Sequence, residues 1–336
     1  MSRHLSNISD ILSFSIQKTG ERSPCGQAQE TVADFQDSCI IVKTIMYCDL
    51  HTHTTASDGS DTPDDLVRKA AETGLSAIAV TDHDTVAGLP EAVACGPEYH
   101  VEIIPGLELS VLAETGNMHI LGYFIDPEAE YLKKILKKVQ AARAERNPRI
   151  LELLTDLGRP LTMNDLEEIA HGGQIGRPHI ARTMLRKGYV RNIGEAFARY
   201  LKKGAPAYAP KSVLSPEEAI RTIHRAGGLA VLAHPFSLGP GRPADLEKTT
   251  AELAALGLDG MECYYSEHSR EFTRQCLTLC GKYGLVVTGG SDYHGRAKPH
   301  IRLGTGRGNL RIPYRCVEEL RARKTGSDVG QAGSAR

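Results

Sequence analysis

The chain is 336 residues long, carries a formal net charge of −1 and has 24% charged side chains. That length accommodates one barrel-sized domain with an insert, or two domains, and the even charge balance excludes a globally basic nucleic-acid-binding surface or a polybasic membrane face. No run approaches the roughly 20 apolar residues of a membrane span, and the N-terminus lacks the basic-then-apolar layout of a signal peptide. The eight cysteines include no Cys-x-x-Cys pair, so the expectation is a reduced cytoplasmic protein without disulfides.

Residues 1–45 mix Ser, Gln, Thr, Asp and Gly without sustained periodicity and are expected to be a disordered extension ahead of a natural start at Met46. From Met46 onward strand signals alternate with amphipathic helices. Met46–Leu50 reads as the first strand. Thr62-Pro-Asp-Asp65 supplies the N-cap, first-position proline and acidic first turn of a helix ending at Gly74. Strand Ala77–Thr81, a helix around Val86–Ala94 and strands Val101–Pro105, Glu108–Ala113 and His119–Phe124 complete the first barrel segment, 46–125. The alternation then breaks until Pro210. A long basic helix, Glu128–Leu157, precedes short helices at Asn164–Ala170, Arg177–Lys187 and Ile193–Leu201, giving a helical cap inserted at 126–210. Lys133 to Lys138 on the long helix read as a solvated face. The second barrel segment, 211–320, contains a helix capped by Ser215-Pro-Glu-Glu218, strand Leu229–Ala233, helix Ala244–Gly257, strand Asp259–Cys263, helix Arg270–Tyr283 and strand Leu285–Thr288. A Gly/Ser-rich tail, disordered from about residue 321, is expected to end the chain.

This order predicts an α/β barrel. Its chemistry-bearing residues are six histidines and three carboxylates, each at a strand end or in the turn beyond it, where barrels build their sites. They are His51 and His53 in Asp49-Leu-His-Thr-His53, Asp58, His83 in Thr81-Asp-His83, Glu108 in Gly106-Leu-Glu108, His119, His234 in Ala233-His-Pro235, and Asp292 with His294 in Gly290-Ser-Asp-Tyr-His294. Nine nitrogen and oxygen ligands exceed the needs of one ion and suit two or three divalent cations, a grouping that mostly serves phosphate-ester hydrolysis. Ligands without thiolate fit Mn²⁺, Fe²⁺ or Zn²⁺ in a catalytic rather than structural setting.

Taken together and in this order, the His-x-His-x4-Asp opening, Thr-Asp-His, Gly-x-Glu, Ala-His-Pro and Gly-Ser-Asp-x-His resemble the polymerase-and-histidinol-phosphatase (PHP) superfamily, from Met46 to about Pro313. The resemblance implies a distorted seven-stranded TIM-like (β/α) barrel holding three metal ions, Mn²⁺ before the alternatives. It assigns His51, His53, Glu108 and Asp292 to the first ion, Glu108, His119 and His234 to the second, and Asp58, His83 and His294 to the third. The segments Gly176-Arg-Pro-His-Ile-Ala-Arg182, Tyr200-Leu-Lys-Lys-Gly204 and Ala207-Tyr-Ala-Pro210 resemble the subgroup acting on 3′,5′-nucleoside bisphosphates, whose relatives trim RNA from the 5′ end. By that resemblance Arg177 and His179 are the candidates for phosphate contact, with Lys211 or Lys203 behind them.

With three divalent ions and three returning carboxylates, about three net positive charges would remain as a local magnet for phosphate. Metal-bound hydroxide is the expected nucleophile, since coordination lowers the pKa of water to roughly 7. Asp292, His234 and Glu108 are the expected catalytic core. His268, just past a strand end, is a further candidate for substrate contact. Asp49 is expected to orient a ligand histidine, Cys48 to face the helical layer, Glu262 and Cys263 to serve packing, and Gly289-Gly290 to provide the tight backbone of the Asp292 turn. A small nucleotide or short RNA is the expected partner, with no membrane and no stable DNA complex. The alternatives are a histidinol-phosphate phosphatase, against which the insert argues, and a non-catalytic metal- or nucleotide-binding module.

Overall fold

The structure, a computed structural model, describes residues 46–113, 116–239 and 243–333; the extension expected at 1–45 lies outside them. Among the described residues the strands are β1 (Tyr47–Thr52), β2 (Ala77–Val80), β3 (Glu102–Val111), β4 (Met118–Tyr123), β5 (Leu229–Leu232), β6 (Gly260–Tyr265), β7 (Val286–Gly290) and β8 (Ile312–Pro313). They pair in the order β7-β6-β5-β4-β3-β2-β1-β8, and a Thr52–Tyr293 bridge beyond the end of β7 draws the sheet toward closure. The result is the expected distorted α/β barrel. The eighth strand, missing from the expectation, is a two-residue piece antiparallel to β1.

β4 runs antiparallel to both neighbours, β3 and β5. That reversal explains His119, which occupies the N-terminal end of its strand rather than the C-terminal end. The sequence reading split β3 at Pro105-Gly106, yet the strand continues through it. It pairs with β2 as far as Pro105 and with β4 from Gly106 onward, so proline sits where the partner changes.

Two apolar layers hold the barrel. Cys48, Leu50, Ala79, Ile104, Leu121, Tyr123 and Val231 form one cluster with Val317 and Leu320 of α10 (Arg315–Gly333), while alternate strand residues such as Ile78, Val80 and Leu232 pack against surrounding helices. Cys48 therefore belongs to the cluster opposite the helical layer, correcting the expectation, because it alternates with Tyr47 and Asp49 on β1. α10 also runs past residue 321, where a tail was expected to begin. The outer helices are α1 (Pro63–Glu72), α2 (Leu89–Tyr99), α7 (Pro216–Arg225), α8 (Pro243–Ala255) and α9 (Arg270–Tyr283). Thr62 caps α1 and Ser215 caps α7 as read, each accepting from a backbone N–H of the first turn.

Between β4 and α7 lie α3 (Glu130–Asp156), α4 (Met163–Ala170), α5 (Arg177–Arg186) and α6 (Ile193–Ala196), the last continued by a π-helical turn at Phe197–Leu201. The first half of α3 joins the barrel's helical layer through Leu132, Leu136 and Val139, whereas Ile150 and Leu154 open a separate apolar cluster with Leu166, Ile180, Met184 and Leu201. α3 thus bridges the two clusters, and its middle turn passes beside the site. No helix among the described residues is long and apolar enough to cross a membrane.

Candidate metal centre

Glu108, on β3 and wholly buried, is the hub of the site. Its Oε1 lies 2.7 Å from His119 Nδ1 and 2.9 Å from His234 Nε2. Its Oε2 lies 2.8 Å from His83 Nδ1, 3.3 Å from His53 Nε2 and 3.4 Å from His51 Nε2. Asp292 Oδ1 faces His53 Nε2 at 3.3 Å, His294 Nδ1 at 3.4 Å and His51 Nε2 at 3.7 Å. Asp58 Oδ1 is 3.2 Å from His294 Nε2, and its Oδ2 is 4.0 Å from His83 Nε2. The nine residues singled out in the sequence, drawn from strands β1, β3 and β4 and from the turns between elements, therefore converge on one centre.

The donor atoms fit divalent cations. His51 Nε2, His53 Nε2, His83 Nδ1 and Glu108 Oε2 are buried without a hydrogen-bond partner. The last two approach to 2.8 Å yet are misaligned for a hydrogen bond, as two lone pairs aimed at a third atom would be. Donor sets lying within 4.8 Å of one another are His53/Asp58/His83/His294, His51/His53/Asp292, His51/Glu108/His234 and His83/Glu108/His119. This grouping overlaps the one implied by the resemblance, but it also brings His53 to Asp58, His83 to Glu108 and His51 to His234. His234 and Asp292 have φ of +24° and +59°, strained backbone of the kind that collects at functional sites.

The electrostatics are those of imidazoles crowded on carboxylates. Burial pushes the three acids up, but neighbouring basic groups outweigh it and hold them well below the usual range. These are the imidazoles of His294 and His83 for Asp58, those of His83 and His119 for Glu108, and Lys298 with the His294 ring for Asp292. Burial pulls His119 and His294 down to about 4. It also opposes the charged form of His53, yet Asp292 and Glu108 push that ring up to about 9; Glu262 and Glu108 likewise raise His51 well above its usual value.

A surrounding set of groups fixes these ligands, and most of it was missed in the sequence. Glu262 on β6, fully buried, takes His51 Nδ1 at 3.1 Å and the His234 backbone N–H at 2.7 Å. It does more than pack. Asp49, expected to orient a ligand histidine, does so through the main chain: it accepts from the backbone N–H of His51 at 3.3 Å and from those of Ser291 and Gly304, both at 2.8 Å. Asp292 Oδ2 accepts from Tyr265 Oη at 2.9 Å and Lys298 Nζ at 2.7 Å, leaving Oδ1 to the histidines. Gly290 is indispensable for close approach, because a Cβ there would lie 2.1 Å from His51 Cβ.

Next to His83 sits a cationic pocket. Arg143 of α3 donates to Asp84 Oδ2 through Nε at 3.0 Å and Nη2 at 2.5 Å, and Lys211 Nζ reaches the same oxygen at 3.1 Å. Arg146, 6% exposed, has an Nε without a partner, and burial followed by Arg143 and Arg177 pulls it down to about 9. Arg177 bonds the Leu201 carbonyl at 3.2 Å and lies 5.8 Å from the Tyr208 ring centre. Arg143 and Lys211 thus share the Asp84 carboxylate, with Arg146 and Arg177 close to Arg143 but not bonded to that carboxylate. Gln174, its amide oriented to satisfy both neighbours, donates to the His83 carbonyl at 2.9 Å and accepts from Arg143 Nε at 3.1 Å. His179 is buried and accepts from the Gly176 N–H at 3.0 Å, and Arg182 donates to the Asp58 carbonyl at 3.0 Å. Lys203 is exposed and has no place in this pocket. Arg143 and Arg146 were hidden because a basic helical stretch ordinarily reads as a solvated face.

Comparison with known proteins agrees with this geometry. The profile of the PHP domain matches residues 49–207. The chain is 34% identical to a 5′-3′ exoribonuclease of Haemophilus influenzae over 246 residues, covering 73% of this chain and 89% of that one. It is 32% identical to a 3′,5′-nucleoside bisphosphate phosphatase of Chromobacterium violaceum over 247 residues, covering 73% and 86%. A Bifidobacterium adolescentis protein solved as a metal-dependent phosphoesterase superposes with a TM-score of 0.75 at 32% identity, over 83% of this chain and 96% of the other.

Proposed function

Because this chain belongs to the PHP-domain family and is a metal-dependent phosphoesterase, we propose that it hydrolyses nucleoside 3′,5′-bisphosphates and trims short 5′-phosphorylated RNA. The observation that carries this reading is the pocket in which Arg143 and Lys211 bond the Asp84 carboxylate while Arg146 and Arg177 lie close by with no carboxylate bonded to either. A monophosphate needs one cationic centre. A second buried cluster of guanidinium groups next to it suits a substrate carrying a second phosphate.

His51, His53, Asp58, His83, Glu108, His119, His234, Asp292 and His294 would hold divalent cations, Mn²⁺ first and three in number, which supply Lewis acidity toward phosphoryl oxygens and lower the pKa of bound water toward ~7. Within that centre Glu108, His234 and Asp292 form the catalytic core. Glu262 keeps the His51 ring in the tautomer whose Nε2 lone pair faces inward, since its carboxylate accepts from Nδ1–H. Tyr265 and Lys298 lock the far oxygen of Asp292, so that the near one cannot rotate away. Arg177 and Lys211 orient the second phosphate, and Arg182 anchors α5 to the Asp58 turn so that His179 stays beside it.

The test is hydrolysis by Mn²⁺-loaded protein of adenosine 3′,5′-bisphosphate, a short 5′-phosphorylated RNA and histidinol phosphate. Release of phosphate or nucleotides from the first two at higher kcat/KM is expected. Turnover of histidinol phosphate alone would show the substrate assignment to be wrong, and tight metal uptake without turnover of any ester would point to a non-catalytic module.

A further inference from the structure

A file of aromatic rings leads outward from the centre, starting at His234. His234 lies 5.5 Å, ring centre to ring centre, from Tyr265, and Tyr265 lies 5.1 Å from His268. His268 then meets Phe272 edge-on at 4.7 Å, and Phe272 meets Phe236 at 6.2 Å with the planes perpendicular. Phe236 ends the file in the open, 51% exposed, in the short 3-10 turn Pro235–Leu238 that directly follows the ligand His234. Among the described residues it is the sole aromatic member of the exposed large apolar side chains.

An isolated exposed apolar side chain is ordinary. This one differs in two ways. The edge-on contact with Phe272 holds the ring in place and leaves it free to receive a flat partner. In addition, His268 Nδ1 sits 2.9 Å from the Cys263 carbonyl, which only accepts, so Nδ1 carries the proton and Nε2 is a bare acceptor. That Nε2 is buried and has no hydrogen-bond partner. Phe272 links the exposed stacking surface to the buried, unmet acceptor beside the candidate ligand His234, and a nucleobase offers both a flat face and ring-edge N–H donors.

Resting on the nucleotide reading above, we propose that Phe236, backed by Phe272, is the stacking ledge for the base of the nucleotide whose phosphate is cleaved, and that His268 Nε2 accepts from a donor on that nucleoside. The cationic pocket then holds the second phosphate while the ledge selects for a base, which makes the enzyme a reader of nucleosides and not of phosphates alone.

The experiment compares kcat/KM for adenosine 3′,5′-bisphosphate with that for its abasic counterpart, 1-deoxyribose 3,5-bisphosphate, on Mn²⁺-loaded wild-type protein and on Phe236→Ala, Phe236→Tyr and His268→Ala. Wild type is expected to prefer the nucleotide. Phe236→Ala should reduce that preference by on the order of tenfold, chiefly through KM, as loss of one base–aromatic stack does; Phe236→Tyr should restore it. A preference untouched by Phe236→Ala, or lost equally in the tyrosine variant, overturns the ledge even if both substrates are cleaved. Failure of wild type to cleave either bisphosphate, while other phosphate esters turn over, overturns the substrate reading and the ledge with it.

Discussion

Replacing Glu262 by glutamine examines whether a residue outside the ligand set controls metal uptake. The carboxylate is fully buried and serves two donors at once, the His51 ring at 3.1 Å and the His234 main chain at 2.7 Å. A glutamine of the same shape has only one acceptor oxygen. Its NH₂ must face one of the two N–H groups, or the His51 ring must change tautomer and present Nε2–H toward the cations. Either outcome removes one charge-assisted hydrogen bond, about 1.5–3 kcal/mol, equivalent to roughly 10- to 150-fold in an equilibrium constant. Outer partners of metal-binding histidines typically give about 10- to 100-fold, and the two ranges agree. The assay is metal content by mass spectrometry across a series of chelator-buffered Mn²⁺ concentrations, with a melting curve to confirm folding. Glu262→Gln should need at least ten times more free Mn²⁺ for half-occupancy, and its rate should recover in excess metal. Wild-type occupancy at every buffered concentration would refute the reasoning.

Asp292→Ala should abolish activity and lower metal content, whereas Arg177→Ala should raise KM with metals retained; equal metal loss in both, measured on dialysed protein, would contradict the separation of centre from cationic pocket. Burial pulls Lys211 down to about 7 despite the opposing pull of Asp84, so its ammonium is lost as pH rises through that value. KM for the bisphosphate should therefore climb above pH 7, and Lys211→Arg, whose guanidinium stays charged, should flatten the climb; an identical pH profile in both proteins counts against a phosphate role for Lys211.

Much of this site could be read from sequence because the candidate ligands sit in short, recognisable motifs, on strands or in the turns beyond them. Asp292 and His294 lie two residues apart after a Gly-Gly strand end, and His234 precedes a proline. What escaped notice is held by distance rather than by motif. Glu262 meets His51 across 211 positions of chain, in a strand whose composition is merely apolar and aromatic. Arg143 and Arg146 share a helix with solvated lysines, and only the closure of α3 against Asp84 and Ser110 buries them. Within the fold, β3 was divided at Pro105 because local turn chemistry cannot foresee that a strand will change neighbours there. The direction of β4 was equally unreadable, since an apolar alternation looks the same in either sense.

The crowding of five imidazoles around the oxygens of Glu108 has a consequence for how the protein acquires its ions. With no divalent cation bound, two of those rings compensate for buried negative charge by keeping hydrogen ions near neutrality, His53 up to about 9 and His51 higher than usual. An incoming divalent cation must evict them. Loading should acidify a weakly buffered solution and slow in mildly acidic surroundings, so the supply of metal and the local acidity would jointly determine how much of the enzyme is ready to work.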